Sequence, residues 1–204
     1  MGKLRLAVLA SGRGSNLQAI IDAIAAGELA AEIAVVISDK EDARALERAR
    51  RHRIPHCFLD PKEHPGPGAY DRALVALWRE YRVDLVALAG FMRLLGAEAV
   101  RAYRNRILNI HPSLLPAFPG LNAQAQAVAY GVRYSGCTVH FVDEGMDTGP
   151  IILQAVVPVR QDDDPETLAA RILEEEHRLY PRAIQLFAEG RLEVVGRRVR
   201  IKDK

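Results

Sequence analysis

Residues 4–27 read LRLAVLASGRGSNLQAIIDAIAAG, and this stretch decides the fold class. Leu4 to Ala10 is a short run, apolar throughout but for Arg5, the pattern of a strand buried on both faces. Gly12 and Gly14 allow a tight turn and close approach of the backbone, and Ser15 and Asn16 stand where a helix cap is expected. Leu17, Ile20, Ile21 and Ile24 then fall on one helical face, and Gly27 ends the helix. A strand, a glycine turn and an amphipathic helix in that order open an α/β unit. The alternation continues: strand at 32–38, helix at 41–52, a short strand at 55–58, helix at 69–81, strand at 83–89, helix near 97–104 and strand at 107–111. Pro and Gly crowd positions 61–68 into an irregular loop. Apolar strands separated by helices predict a mostly parallel, doubly wound sheet covered on both faces.

Beyond Gly120 the pattern changes. SGCTVHFVD (135–143) and PIILQAVVPV (150–159) read as two strands joined by the polar EGMDTG, a hairpin or near-hairpin. A long amphipathic helix over about 165–189 follows, and RLEVVGRRVRI (191–201) reads as a terminal ribbon around Gly196. With no internal repeat and no linker, residues 1–204 are expected to form a single domain. Its N-terminal half (1–105) is of Rossmann-like, mononucleotide-binding type, and its C-terminal half (106–204) is mixed.

Net charge is +2, so bulk electrostatics offers no attraction for a nucleic acid or an anionic membrane. Arginines between Arg44 and Arg53 are interleaved with Glu47 and read as a solvated helix face. Cys57 and Cys137 have neither metal-ligand nor CxxC spacing, which suits a reducing compartment and gives no metal site. The N-terminal apolar stretch is too short for a signal peptide or a membrane span. A cytoplasmic protein is expected.

The loop ASGRGSNLQ (10–18) offers backbone N–H groups at a helix N-terminus, a ready site for phosphate. A dinucleotide fingerprint would need glycine where Leu17 stands, and no Lys-Ser/Thr follows to make a P-loop. A single phosphate fits better. Asp39, at the end of the second strand, keeps open a reading in which a carboxylate serves a ribose.

The strand ILNIH (107–111) ends in two polar groups. Period-2 geometry puts Asn109 and His111 on one face, and Pro112 stops the strand. In open α/β sheets ligands bind beyond the carboxyl ends of strands, where both this pair and the glycine loop lie. Asn offers a neutral donor and His a donor that can pass on its proton, a combination suited to an oxyanion. DEGMDTGP (143–150) supplies Asp143, Glu144 and Asp147 as candidate carboxylates to hold the imidazole charged, although spacing alone favours a solvated acidic turn. His140, inside an apolar run, reads as a hydrogen-bonded core residue.

The stretches SGRGSNLQAI, LAGFMRLL, LNIHPSLLPAFPG, TVHFVDEGMDTGPIILQ and EEEHRLYP closely resemble those of the phosphoribosylglycinamide formyltransferases, folate-dependent enzymes of purine biosynthesis. The resemblance spans nearly the whole chain, and the length leaves no room for the extra domains of methionyl-tRNA formyltransferases or formyltetrahydrofolate hydrolases. It implies transfer of a formyl group from the co-substrate 10-formyltetrahydrofolate to the amine of glycinamide ribonucleotide, without a metal. Asn109, His111 and Asp147 would be catalytic. Gly14, Ser15 and Asn16 would hold the substrate phosphate, and Glu176 the ribose hydroxyls. Met92, Arg93, Leu94 and Leu95 would line the folate pocket with Asn109, Asp143, Glu144, Gly145, Met146 and Asp147. Gly120 would let the substrate amine approach.

The partners implied are small molecules, with neither nucleic acid nor membrane, and a homodimer is an open assembly. Three positions depart from the family's pattern. Pro67 stands near the place of an arginine, which Lys62 or His64 would have to replace; Asn122 stands where His is frequent; and Leu173, Glu174 and Glu175 precede Glu176. Alternative readings are a formyltetrahydrofolate hydrolase, a non-catalytic nucleotide-binding module, or a degraded dinucleotide-binding reductase.

Overall fold

The apolar N-terminal run forms β1 (Leu4–Leu9), and the helix after the glycine loop is α1 (Ser15–Ala25). A computed structural model describes residues 2–203. They divide into two units, one running to Leu108 and the other from Asn109.

In the first unit, β2 (Ala31–Ser38), α2 (Arg44–Arg51), β3 (His56–Phe58), α3 (Ala69–Glu80), β4 (Leu85–Leu88) and α4 (Ala97–Ala102) follow α1. The strands run β3-β2-β1-β4, all parallel. The central strand is buried from Leu6 to Leu9, as its unbroken apolar pattern requires. Trp78 on α3 is fully buried and meets Tyr103 edge to face, with ring centroids 4.9 Å apart, which fastens α3 beside α4. The loop expected at 61–68 contains one 3-10 turn, Pro61–Glu63, capped by the Asp60 carboxylate.

One local expectation is corrected. Helix α1 starts at Ser15, so its N-cap is Gly14, in the left-handed region at φ 71°, and no side chain caps it. Ser15 and Asn16 are already helical, and the capping role expected of them is not taken.

In the second unit, β5 (Ile107–His111), which straddles the division, is followed by α5 (Ala123–Tyr130), β6 (Tyr134–Phe141), β7 (Ile151–Pro158), α6 (Pro165–Ala188), β8 (Leu192–Val195) and β9 (Arg198–Ile201). The order is β5-β6-β7-β9-β8. β6 and β7 are antiparallel, β9 joins β7 in parallel, and β8 pairs with β9 across Gly196. The mixed character expected after residue 120 is present; α5 was not expected. Helix α6 opens with Pro165 in its first turn and a reciprocal cap between Asp164 and Thr167, and it packs on β6 and β7.

The connection from β6 to β7 is closed at its root. Phe141 N–H donates to Pro150 O at 2.9 Å, and a Cβ on Gly149 would run into the Phe141 carbonyl oxygen. Gly149→Ala is therefore expected to destabilise the protein by about 1–3 kcal/mol, the usual range for an overpacked site. Urea unfolding of the two proteins side by side measures it, and equal midpoints would contradict the close contact.

Candidate active site

In the second unit polar groups of β5, of β6 and of Gly120 converge on one carboxylate of the 142–150 loop. Asp147 adopts a left-handed backbone (φ 53°) that turns its side chain inward. Its Oδ2 accepts the Gly120 N–H at 2.8 Å and lies 3.3 Å from His111 Nδ1. Its Oδ1 accepts from Asn109 Nδ2 at 3.4 Å and lies 3.7 Å from His140 Nε2. Burial alone would raise the Asp147 pKa. The His140 ring, the Gly120 N–H and the His111 ring outweigh it and hold the carboxyl below its ordinary value of 3.8.

The two histidines are fixed from behind. His111 is buried, and its Nε2 lies 2.8 Å from Phe118 O, so both ring nitrogens face acceptors, which a ring protonated on both satisfies. His140 Nδ1 donates to Phe141 O at 2.8 Å. Its Nε2 can then accept from Asn109 Nδ2, 3.2 Å away, when neutral, or donate to Asp147 when protonated. His140 is thus the buried, hydrogen-bonded residue expected from sequence, but its partners are the site itself. The periodicity of CTVHFV places it inside and says nothing of what it touches.

The rest of the loop is built on Asp143, whose Oδ1 accepts from Gly145 N–H at 3.0 Å and Thr148 Oγ1 at 2.6 Å. Asp143 is thereby a brace of the turn. Met146 is half exposed and packs beside Gly120, where a Cβ would lie 3.1 Å from its sulfur. Glu176 is buried on α6, and Asn122 is the left-handed N-cap of α5.

In the first unit, Gly14 has no room for a side chain: a Cβ there would sit 2.8 Å from Ala45 Cα of α2. The Ala45 N–H donates to Gly12 O at 3.1 Å, and Arg48 Nε donates to Arg13 O at 2.8 Å. The basic helix read as a solvated face therefore sends Arg48 to brace the glycine loop, while Arg51 pairs with Glu47 as expected of a surface residue. The first turn of α1 carries no acidic residue, so nothing there opposes an anion.

Asp39 is buried and accepts from Ser11 Oγ at 2.5 Å, an internal partner where the dinucleotide reading wanted a ribose. Met92 and Leu94 are exposed, Leu95 is buried, and the Arg93 guanidinium lies 5.0 Å over the Tyr70 ring. His64 meets the same ring edge-on at 6.2 Å, so of the two residues weighed for the missing arginine it is His64 that shares Tyr70 with Arg93. Among the described residues, no group of three or more His, Cys, Asp or Glu side chains is placed to hold a metal, and no helix is long and apolar enough to cross a membrane.

The depressed Asp147 pKa makes a pH prediction. A carboxyl whose folded value lies below its unfolded one contributes stability that is complete above the unfolded value and is lost as pH falls through the folded one. The stability difference between the wild type and Asp147→Asn should be larger at pH 5 than at lower pH and shrink as pH drops below 3.8. Denaturant melts across that range test it, and a difference independent of pH would refute the carboxylate's part.

The pattern of the formyl transferase family matches residues 4–184. A glycinamide ribonucleotide transformylase of Symbiobacterium toebii has the same fold, with TM-score 0.97 and 58% identity over 98% of this chain and 95% of that one. A phosphoribosylglycinamide formyltransferase of Bacillus subtilis is 45% identical over 89% of this chain and 93% of its own length. The trifunctional purine biosynthetic protein adenosine-3 of Drosophila pseudoobscura is 52% identical over 94% of this chain, which spans only 14% of that protein. The fold expected from sequence, a single α/β domain with a mostly parallel sheet, is that of the Symbiobacterium structure. The chain belongs to the formyl transferase family.

Proposed function

We propose that this protein transfers the formyl group of 10-formyltetrahydrofolate to the amine of glycinamide ribonucleotide, a step of purine biosynthesis carried out in the cytoplasm. The observation that carries the reading is the convergence of Asn109, His111, His140 and the Gly120 N–H on Asp147, in a chain similar over most of its length to proteins named for that reaction.

The neutral amine attacks the formyl carbon, and a tetrahedral intermediate forms with negative charge on the former carbonyl oxygen. Asn109 Nδ2 and His111 Nε2 are the donors for that oxygen, and Asp147 holds both side chains in place. In the structure these donors are turned onto Asp147 and Phe118 O, so each exchanges a protein acceptor for the substrate oxygen as charge develops. The intermediate collapses with cleavage of the bond from carbon to the folate nitrogen. The amine's proton passes to that nitrogen, through water or His111. The chemistry needs no covalent enzyme intermediate and no metal, because alignment of two bound reactants can supply roughly 7–11 kcal/mol.

Gly14, Ser15 and Asn16 take the phosphate, with Arg48 bracing the loop, and Glu176 takes the ribose hydroxyls. Met92–Leu95 in the first unit and, separately, the 143–147 turn in the second are the segments assigned to the folate. Two exposed apolar side chains of the first segment, Met92 and Leu94, suit an aromatic ring, and Arg93 with His64 suits the anionic tail.

Following the absorbance of 10-formyltetrahydrofolate with and without glycinamide ribonucleotide tests the reading. Consumption only with the ribonucleotide supports it. Equal consumption without it means a hydrolase, and none in either case leaves a binding module. Asn109→Ala and Asp147→Asn should each lower turnover by about 10²–10³. Near-normal rates in both would remove the two residues from the mechanism.

A further inference from the structure

Ser11 has no part in the roles assigned above, yet it ties together two segments that do. Its backbone N–H donates to Gly90 O at 3.0 Å, and its Oγ accepts the Met92 N–H at 2.8 Å. The same Oγ donates its one proton to Asp39 Oδ1 at 2.5 Å, and Asp39 is 6% exposed. A hydroxyl has one proton and an ionised carboxylate only accepts, so Asp39 fixes the hydroxyl's direction and leaves its lone pairs facing Met92. The short bond to a charged acceptor makes this the firmest of the three contacts.

Ser11 immediately precedes the Gly12–Asn16 loop, and Gly90–Met92 immediately precede Arg93–Leu95. The two loops are therefore fastened at their roots to one side chain, and that side chain is held by a buried carboxylate. A ligand that fixes the position of one loop therefore also fixes the root of the other through these bonds, so part of the positioning the second ligand needs is already made.

We propose that Ser11, set by Asp39, is a positioning residue that locks the phosphate loop to the folate-binding segment and makes the two substrates bind with positive cooperativity. This rests on the assignment of those segments under the proposed function. Linkage requires the effect to be reciprocal: each ligand tightens the other by the same factor.

The experiment is calorimetric titration of the wild type with tetrahydrofolate, with and without saturating glycinamide ribonucleotide, and then in the reverse order. The expected result is tightening by at least about fivefold in both directions. Ser11→Ala should bring that ratio close to one, and Ser11→Thr, which keeps a hydroxyl, should restore it. A residue that merely supports the fold would lower the melting temperature and leave the ratio unchanged. Should Ser11→Ala fail to fold, Asp39→Asn keeps an acceptor but removes its charge, and it should lower the ratio. A wild-type ratio of one, or an unchanged ratio in whichever of the two variants folds, overturns the proposal. Failure of the functional reading would show separately, as no formyl transfer by the wild type and no binding of either ligand.

Discussion

The polar cluster of the second unit depends on one carboxylate in an awkward place. Asp147 sits in the left-handed region, which costs a residue with a Cβ up to roughly 1–2 kcal/mol and an aspartate less. Burial works against its charge as well. What holds it is a ring of donors: the Gly120 N–H, Asn109 Nδ2 and the ring of His111, with His140 beside them. Hydrogen bonds to a charged group contribute about 1.5–3 kcal/mol each, enough to offset the backbone strain. The dependence runs both ways. Without the carboxylate, Asn109 and His111 lose the acceptor that fixes their orientation, and the 142–150 loop loses its reason to bend toward β5.

The first unit applies a steric constraint to a comparable end. Gly14 combines a left-handed backbone with a position where any side chain would strike Ala45. The turn is pressed onto α2, and the Arg48 guanidinium and the Ala45 N–H hold the carbonyls of Arg13 and Gly12 on that side. With its carbonyls engaged, the loop presents amide donors at the start of α1, a cradle suited to an anion.

Much of this was legible in the sequence for physical reasons that differ from element to element. The strands β1, β2 and β4 announce themselves because burial on both faces forces unbroken apolar runs. Helix α6 is legible from its long apolar stripe. Helix α5 is not, because AQAQAVAY buries only Ala123 and Ala127 and so has no stripe to read. The place of β9 beside β7 follows from a pairing between residues far apart in the chain, which local patterns do not encode. At the site, Asn109 and His111 are visible because polar residues on one face of a buried strand need a reason. Asp147 is one acidic residue among several in a polar turn, and the backbone that selects it is not a glycine's, so composition cannot distinguish it. The Ser11–Asp39 pair was hidden for a similar reason: serine in a loop and aspartate at a strand end are both ordinary.

The inward turn of the donors bears on selectivity in the proposed reaction. Asn109 Nδ2 and His111 Nε2 already have acceptors, so an incoming oxygen must compete with Asp147 and with Phe118 O. A neutral formyl carbonyl is a weaker acceptor than a carboxylate and gains little by exchange. The oxygen of the tetrahedral intermediate carries charge, and charge-assisted hydrogen bonds are roughly twice as strong as neutral ones. The exchange thus becomes favourable only as the transition state is approached. Interactions stronger in the transition state than in the ground state are the ones that accelerate chemistry. Donors that are satisfied at rest and released to a developing charge meet that condition better than donors left open to any carbonyl. In the proposed reaction the carboxylate that stabilises the loop would set the threshold of charge for Asn109 alone, and the Phe118 carbonyl would set it for His111 Nε2.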